Sequence, residues 1–426
     1  MPISRGSIRH TLPEDAANAV RSFVGAKKLT RRASRDEKED LKQKVARMFG
    51  ARHVVLFPYA RSAFHAILKS LDLPPKSEIL LTPISIGPML EVILALGHKP
   101  VFVDIELETF CVDLEDLKKK LAAKPACFLL TYLFGYIPNV EAVVDACHQS
   151  GTVLLEDISH NIGGSSGGKP LGLHGKAGIY SASLLKYVDG YNGAFVVTDD
   201  EKLAALLESE VAEFRPPDPA RIAGVMRTTF IWNFSLRRGP FDLAVFPLLW
   251  TIKKLNKTKF EEILGPRIVL KMPPVLQDYY FEDIASVQCE MISRQLDRLD
   301  GLIESRRGSA REACEAFRRV FGHPLPCAVD GRKHTFWQFV IPVNDLAGAR
   351  DALFRAGVET GATNLMNLAD VMGSKLAGAE SLKESHIFIP LHARLGVADY
   401  EKLFSILRPY CAPTFVGALQ SARAAC

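Results

Sequence analysis

Three side chains with reactive groups follow apolar runs in the middle of the chain. The run 153–155 has the length and composition of a buried strand, and Asp157 comes just after it. Ser181 lies in a second short apolar piece, and Lys186 stands five residues later, before the apolar run 194–198. Side chains just past parallel strands lie at the edge of the sheet where α/β proteins bind ligands. The pattern therefore predicts an acid, a hydroxyl and an amine in one site.

Pyridoxal phosphate requires these three groups from a protein. A lysine amine binds its aldehyde as a Schiff base, an acid keeps the pyridine nitrogen protonated, and hydroxyl and N–H groups hold the phosphate. We therefore predict that Lys186 carries this cofactor, with Asp157 at the pyridine nitrogen and Ser181 at the phosphate. An exposed loop lysine is the alternative for Lys186, and its spacing from the other two residues argues against that reading.

Around these residues the chain resembles the DegT/StrS-type (DegT/DnrJ/EryC1/StrS) sugar aminotransferases, which are pyridoxal-phosphate enzymes of fold type I. The segment 157–160 matches the family motif D-x-x-[HQ], and 193–199 matches the strand that follows the reactive lysine. Ser181 and Lys186 match the family's serine and Schiff-base lysine. The resemblance implies a large domain with a mostly parallel sheet flanked by helices, and a smaller C-terminal α+β domain.

The resemblance assigns further residues to the cofactor site. His160 would contact the cofactor ring or its 3-hydroxyl, and a core histidine is the alternative. The turn 59–62 precedes an amphipathic helix, and free N–H groups at a helix start favour an anion. The family binds the cofactor phosphate at this turn, so Arg61 and Ser62 are implied phosphate ligands. Asn233 matches the asparagine that the partner subunit lends to the phosphate.

Two short segments depart from the family pattern, in addition to the longer segment described next. Family members place an aromatic ring after the position of Pro83 to stack on the pyridine, whereas 84–87 reads Ile-Ser-Ile-Gly, without a ring near Ile86. Either another side chain covers the cofactor ring or this face is open. The loop 360–378 lacks the family's aromatic and His-rich substrate pattern. We therefore expect an unusual substrate pocket.

The segment 207–275 departs most from the family, as an apolar and basic insert. Its run 240–250 is almost entirely apolar and too short to span a bilayer, which needs about 20 residues. Four lysines follow: Lys253, Lys254, Lys257 and Lys259. Two interpretations stay open. The segment 240–259 is a buried core helix or substrate lid, or it is an interfacial element that contacts anionic lipid at the inner face of the membrane.

Composition limits the other classes of function. The 426 residues include 24% charged and 48% hydrophobic ones, which is typical of a globular protein. A net charge of +5 is too small at this length to predict nucleic-acid binding. The eight cysteines form no C-x-x-C pair, so neither a metal site nor a disulfide framework is predicted. A reducing cytosol fits them, and we expect a cytoplasmic protein without a signal peptide.

Alternating strand and helix patterns predict a doubly wound parallel sheet. We predict four regions: a helical arm over 1–47, a large cofactor-binding domain over 48–275, a long helix and small domain over 276–412, and a tail over 413–426. The predicted strands are 53–57, 78–82, 99–104, 126–133, 178–182, 194–198, 335–341 and 387–389. The predicted helices are 61–71, 83–96, 140–150, 281–305 and 346–356.

The resemblance implies transfer of an amino group from an amino acid, glutamate in the family, to a keto group. The acceptor would be a nucleotide-linked deoxysugar or a related precursor of cell-surface polysaccharide, and the enzyme a homodimer. Two alternatives stay open. Relatives that dehydrate sugars carry histidine in place of the reactive lysine, whereas Lys186 is present here. A non-catalytic binding or regulatory protein of the same fold would explain the missing aromatic near Ile86.

Overall fold

The computed structural model describes residues 2–6, 10–24, 30–107, 109–256, 258, 260, 274–325, 332–361 and 363–411. Its helices are α1 Leu12–Val24, α2 Arg35–Phe49, α3 Ala60–Ser70, α4 Gly87–Ala95, α5 Leu114–Leu121, α6 Val140–Ser150, α7 Glu201–Ala212, α8 Pro219–Ser235, α9 Phe246–Leu255, α10 Ser286–Leu296, α11 Leu299–Phe321, α12 Leu346–Arg355, α13 Leu368–Val371, α14 Ala377–Glu384 and α15 Val397–Leu407. The predicted tail 413–426, together with Lys257 and Lys259, lies outside the described residues.

The strands are β1 His53–Phe57, β2 Glu78–Leu81, β3 Ile84–Ser85, β4 Lys99–Phe102, β5 Ile105–Glu106, β6 Cys111–Val112, β7 Cys127–Thr131, β8 Val153–Asp157, β9 Ser165–Ser166, β10 Lys169–Pro170, β11 Ala177–Ser181, β12 Ala194–Thr198, β13 Phe339–Pro342, β14 Met366–Asn367 and β15 His386–Ile389. Seven of them form the main sheet, in the order β1–β12–β11–β8–β7–β2–β4. From β11 to β4 all neighbours are parallel, and β12 is antiparallel to β1 and β11. The predicted mostly parallel sheet is confirmed.

Helices cover both faces of this sheet. In β2, Leu80 packs into the cluster that includes α2 and α6, whereas Ile79 and Leu81 pack with α3 and α4. Successive side chains of a strand point to opposite faces, so a strand buried on both sides is apolar throughout. This burial explains the continuous apolar runs in the sequence.

The C-terminal part has its own buried cluster. The antiparallel pair β13 and β15 packs with α11, α12 and α15, and Phe339 lies opposite Ile389 in the register. This arrangement of a small sheet and helices is the expected α+β architecture. The boundaries placed at residues 48 and 276 stay predictions.

Two predicted elements of the site region were wrong at their starts. The helix predicted over 83–96 begins at Gly87, because Ile84–Ser85 pairs with β14 as a short strand. The strand predicted over 335–341 begins only at Phe339, because the backbone just before β13 bonds to the turn after β7. In both cases hydrogen bonds to distant segments override the local pattern.

The single long helix predicted over 281–305 is also wrong, because the structure has α10 and α11 instead. The chain before Ser286 is extended rather than helical. The N–H of Asp283 donates to the carbonyl of Arg215 at 2.7 Å, and the N–H of Ser286 donates to that of Arg31 at 2.9 Å. These bonds take the backbone groups that a helix would have used.

The apolar insert packs on one side only. A turn at Arg238–Pro240 and a π-helical turn at Phe241–Val245 lead into α9. The rings of Phe246 and Trp250 lie 4.9 and 5.6 Å from that of Phe354 in α12. The opposite side carries exposed leucines: Leu243, Leu248 and Leu255. None of the helices within the described residues combines the length and the apolar character needed to cross a membrane.

Candidate active site

Asp157 and Ser181 are the last residues of the neighbouring parallel strands β8 and β11. The apolar runs in the sequence predicted strands at both places. Asp157 is buried at the end of β8 and lies opposite Ile179 of β11. Its Oδ1 accepts a hydrogen bond from the N–H of Ser159 at 2.9 Å. The hydroxyl of Ser159 in turn accepts one from the N–H of Ser181 at 3.1 Å. The turn after β8 is therefore held to the end of β11.

Lys186 lies in the connection between β11 and β12. Its N–H donates to the carbonyl of Ser183, and the preceding Leu185 has a positive φ of 76°. Burial lowers the pKa of its amino group from the ordinary 10.5 to about 8, and the charge of Asp157 opposes that effect. With such a pKa about one amine in ten is neutral at pH 7, against fewer than about one in a thousand for an exposed lysine. The amine of Lys186 is thus partly neutral near pH 7 and feels the charge of Asp157.

His160 is neutral in this site. Burial and then the charge of Lys186 hold its pKa well below the ordinary value. Its Nδ1 accepts a hydrogen bond from the N–H of Phe134 at 3.3 Å, so the single hydrogen of the neutral ring is on Nε2. Its ring stacks on that of Trp337, with centroids 3.9 Å apart and planes 10° from parallel. His160 can therefore donate a hydrogen bond without carrying a charge.

The side chains of Arg61 and Ser62, at the start of α3, already have hydrogen-bond partners within the protein. The hydroxyl of Ser62 donates to the carbonyl of Tyr280 at 2.5 Å. The guanidinium of Arg61 lies 4.7 Å from the ring centres of both Tyr59 and Tyr280, and it donates to the Tyr280 hydroxyl at 3.2 Å. Tyr280 therefore holds both side chains that were expected to bind an anion.

Asn233 lies inside α8 and is buried within its own protomer. Its side-chain Nδ2 has no hydrogen-bond partner among the described residues. An unpaired buried amide is costly, so this group calls for a partner such as an ordered water or a ligand. Its burial does not favour the predicted contact with a partner subunit. Within the Gly-rich segment 163–168, Ser165–Ser166 forms β9, and Gly167 and Gly168 form the turn to β10.

Sequence reasoning missed Trp337 and Tyr280. The Nζ of Lys186 lies 4.7 Å from the centre of the Trp337 ring, and the indole Nε1 donates to the carbonyl of Leu185 at 2.8 Å. The only signal was one of the chain's three tryptophans placed just before a strand. Tyr280 lies in a short 3₁₀ turn whose contact with Arg61 joins residues far apart in sequence.

Solved structures of similar shape define the class of the fold. Helicobacter pylori PseC, an aminotransferase involved in the biosynthesis of pseudoaminic acid, superposes with a TM-score of 0.68 at 16% identity, covering 96% of this chain and 99% of that one. The Escherichia coli GDP-4-keto-6-deoxy-D-mannose-3-dehydratase gives 0.67 at 17% identity, covering 95% and 98%. The chain thus has the fold of the fold type I pyridoxal-phosphate enzymes.

The N-terminal half of the sequence matches one family model. Residues 11–211 match the model of the DegT/DnrJ/EryC1/StrS aminotransferase family, which confirms the resemblance seen around Lys186. The pleiotropic regulatory protein of Geobacillus stearothermophilus is 28% identical over 170 residues, which cover 40% of this chain and 46% of that protein. Because the match spans about half of that relative, activity and substrates are matters for a proposal.

Proposed function

We propose that this protein is a pyridoxal-phosphate-dependent aminotransferase. The observation that carries the proposal is the half-buried Lys186 in the connection between β11 and β12, whose amine pKa is lowered to about 8 by desolvation and which feels the charge of Asp157 at the end of β8. A buried lysine of low pKa is the usual state of an amine that attacks a carbonyl carbon. The family match over residues 11–211 supports the same chemistry.

Lys186 and two side chains near it fit the reactive end of the cofactor. Lys186 supplies an amine that is partly neutral, Asp157 a buried carboxylate, and His160 a neutral imidazole that donates through Nε2. The phosphate end fits less directly, because the hydroxyl of Ser62 and the guanidinium of Arg61 are bonded to Tyr280. The hydroxyl of Ser181 also has a partner, donating to that of Ser183 at 3.1 Å, but Ser181 is half-buried whereas Ser62 is buried, so Ser181 is the more accessible phosphate ligand.

In the proposed reaction Lys186, Asp157 and His160 have separate tasks. When bound, pyridoxal phosphate would supply an aldehyde carbon and an electron-withdrawing ring. Lys186 would hold the cofactor through its amine, and the same amine, once free, would carry a proton to and from the donor's Cα. Asp157 would keep the pyridine nitrogen protonated, and the Nε2 hydrogen of His160 would be available to the 3-hydroxyl. The burial of Asp157 and His160 would limit the access of water.

By analogy with the family, glutamate donates the amino group and a nucleotide-linked keto-deoxysugar or a related polysaccharide precursor accepts it. The test is to incubate the loaded protein with glutamate and a panel of nucleotide-linked keto sugars, and to measure 2-oxoglutarate and aminated sugar. The Lys186→Met variant is the matched control. Stoichiometric formation of both products by the wild type alone supports the proposal. Formation of neither with any acceptor contradicts it.

A non-catalytic binding or regulatory protein is the second candidate. The observation in its favour is the engagement of Arg61 and Ser62 by Tyr280, which leaves the predicted phosphate ligands bonded within the protein. Purified protein that shows no absorbance band above about 400 nm after addition of pyridoxal phosphate would favour this candidate. A sugar dehydratase is disfavoured, because Lys186 occupies the position that histidine takes in such relatives.

We also propose that the protein acts as a homodimer. Helices α1 and α8 pack together and expose apolar side chains: Val20, Phe23, Ile231 and Phe234. Exposed large apolar groups on adjacent helices are typical of surfaces that contact another chain.

We propose that the protein is cytoplasmic and that its insert makes a peripheral contact with anionic lipid. The exposed side of α9 and the turn before it combines apolar groups with a cation: Leu243, Leu248, Lys254 and Leu255. Vesicle binding that rises with anionic lipid and falls with salt would support this contact. Serine at the three leucines should abolish it, whereas serine at Phe246, which packs on Phe354, tests fold rather than lipid. Absence of binding at low salt contradicts the contact.

A further inference from the structure

The indole of Trp337 contacts three parts of the candidate site at once. Its ring stacks on His160, its face lies 4.7 Å from the Nζ of Lys186, and its Nε1 donates to the carbonyl of Leu185 at 2.8 Å. Leu185 directly precedes the reactive lysine and has a positive φ, which is uncommon for a side chain of this size. The hydrogen bond therefore fixes the backbone on which Lys186 is carried.

The backbone of Trp337 is itself held rigidly. Arg306 of α11 is buried, and its Nε and Nη2 donate to the carbonyls of Phe336 at 3.0 Å and Trp337 at 2.9 Å. The N–H of Gln338 donates to the carbonyl of Phe134 at 3.0 Å. A Cβ at Gly135 would lie 2.5 Å from the N of Trp337, so this close approach requires glycine. The backbone that carries the indole is thus held by Arg306 on one side and by the segment at Phe134 and Gly135 on the other.

The segment 84–87 supplies no ring to the site. Ile84–Ser85 pairs with Met366–Asn367, and Ile86 only precedes α4. Among the described residues, Trp337 is the aromatic side chain that contacts the Lys186 amine. A tryptophan from the segment just before β13 therefore lies beside the Lys186 amine, whereas the segment 84–87 contributes no ring.

We propose that Trp337 is a positioning residue for Lys186, whose indole covers the amino group, excludes water from it and holds it within the site. The inference rests on the proposed function only in taking Lys186 as the reactive amine. The face of an indole attracts an ammonium group, which alone favours the charged form. Exclusion of water favours the neutral form. Since the amine's pKa is lowered, exclusion of water outweighs the attraction.

The test measures the protonation of Lys186 in the cofactor-free, full-length protein. Competitive acetylation over pH 6 to 11, followed by peptide mass spectrometry, gives the pKa of each lysine. We expect about 8 for Lys186 in the wild type, little change in Trp337→Phe, and a rise by about one in Trp337→Leu, as water reaches the amine. Lys383 is an internal control, because its pKa is also lowered by burial and its Nζ donates to Leu365.

Trp337→Met, whose unbranched and flexible side chain adapts to an irregular space, serves as a second ringless variant if Trp337→Leu does not fold. An unchanged Lys186 titration in the folded ringless variant, with Lys383 also unchanged, would overturn the proposal. A second readout is the affinity for pyridoxal phosphate at pH 7, which should fall by about tenfold in the ringless variants, since fewer amines are neutral. Affinity for pyridoxamine phosphate, which has no aldehyde, should change little. Failure of pyridoxal phosphate to attach to Lys186 refutes the proposed function but leaves the titration test intact.

Discussion

Replacing Lys186 with methionine removes the buried amino group and keeps most of the side chain's length. In the folded protein the amine's pKa is about 8, whereas the unfolded chain has the ordinary 10.5. Between these values the unfolded state binds more protons than the folded one, so the stability of the wild type rises with pH. The destabilisation by the amine is complete below pH 8 and disappears above about pH 10.5. The variant lacks this pH dependence.

The size of the effect follows from the lowered pKa. A pKa about 2.5 below the ordinary value corresponds to about 3 kcal/mol at 1.36 kcal/mol for each unit. The variant also leaves Asp157 without a nearby cation, which reduces its gain in stability at pH 7. The difference in pH dependence is free of that offset, because the other groups that titrate from pH 7 to 10.5 are the same in both proteins. We expect the two stability curves to converge by about 3 kcal/mol across this window.

Urea unfolding of the cofactor-free proteins at several pH values between 7 and 10.5 measures the free energy of unfolding directly. Lys69→Met is the matched control, because Lys69 is exposed and pairs with Glu210 on the surface. Its curve should run parallel to that of the wild type. If the curves of Lys186→Met and the wild type also run parallel over this window, the amine of Lys186 is not held in its neutral form.

Three further predictions concern the acid, the insert and the assembly. Asp157→Asn keeps an oxygen acceptor for the N–H of Ser159 but loses the charge, so cofactor should still bind while turnover slows at least about a hundredfold; near-normal turnover places the acid elsewhere. Phe354→Ala removes the ring on which α9 packs, and should lower the free energy of unfolding by about 3 kcal/mol and speed proteolysis within 240–255, whereas unchanged proteolysis contradicts that packing. Sedimentation should show a dimer, and an active monomer at assay concentration refutes the proposed assembly.

Local patterns predicted the elements whose neighbours are close in sequence. The sequence analysis placed β1, α6 and β12 with the bounds that the structure has, because their apolar periods and caps are local. Asp157 and Lys186 were predicted from equally local patterns, because Asp157 ends β8 and Lys186 lies five residues after the end of β11. Spacing alone indicated that the two lie at one edge of the sheet.

The missed features depend on contacts between distant segments. Trp337 reaches Lys186 across about 150 residues of sequence, and its own position depends on the buried Arg306. The hydroxyl of Ser62 is bonded to the carbonyl of Tyr280, which no period or cap could indicate. The extended start of β3 likewise depends on a partner strand near the C-terminus. Local propensity is overridden in each case by hydrogen bonds that only the folded chain makes.

Covalent trapping at Lys186 tests the central claim most directly. The full-length protein is incubated with pyridoxal phosphate, reduced with borohydride, digested and analysed by mass spectrometry, beside Lys186→Met. The account predicts a pyridoxyl group on the peptide that contains Lys186, and no comparable label in the variant. Label on a different lysine, or equal labelling of the wild type and the variant, would contradict it.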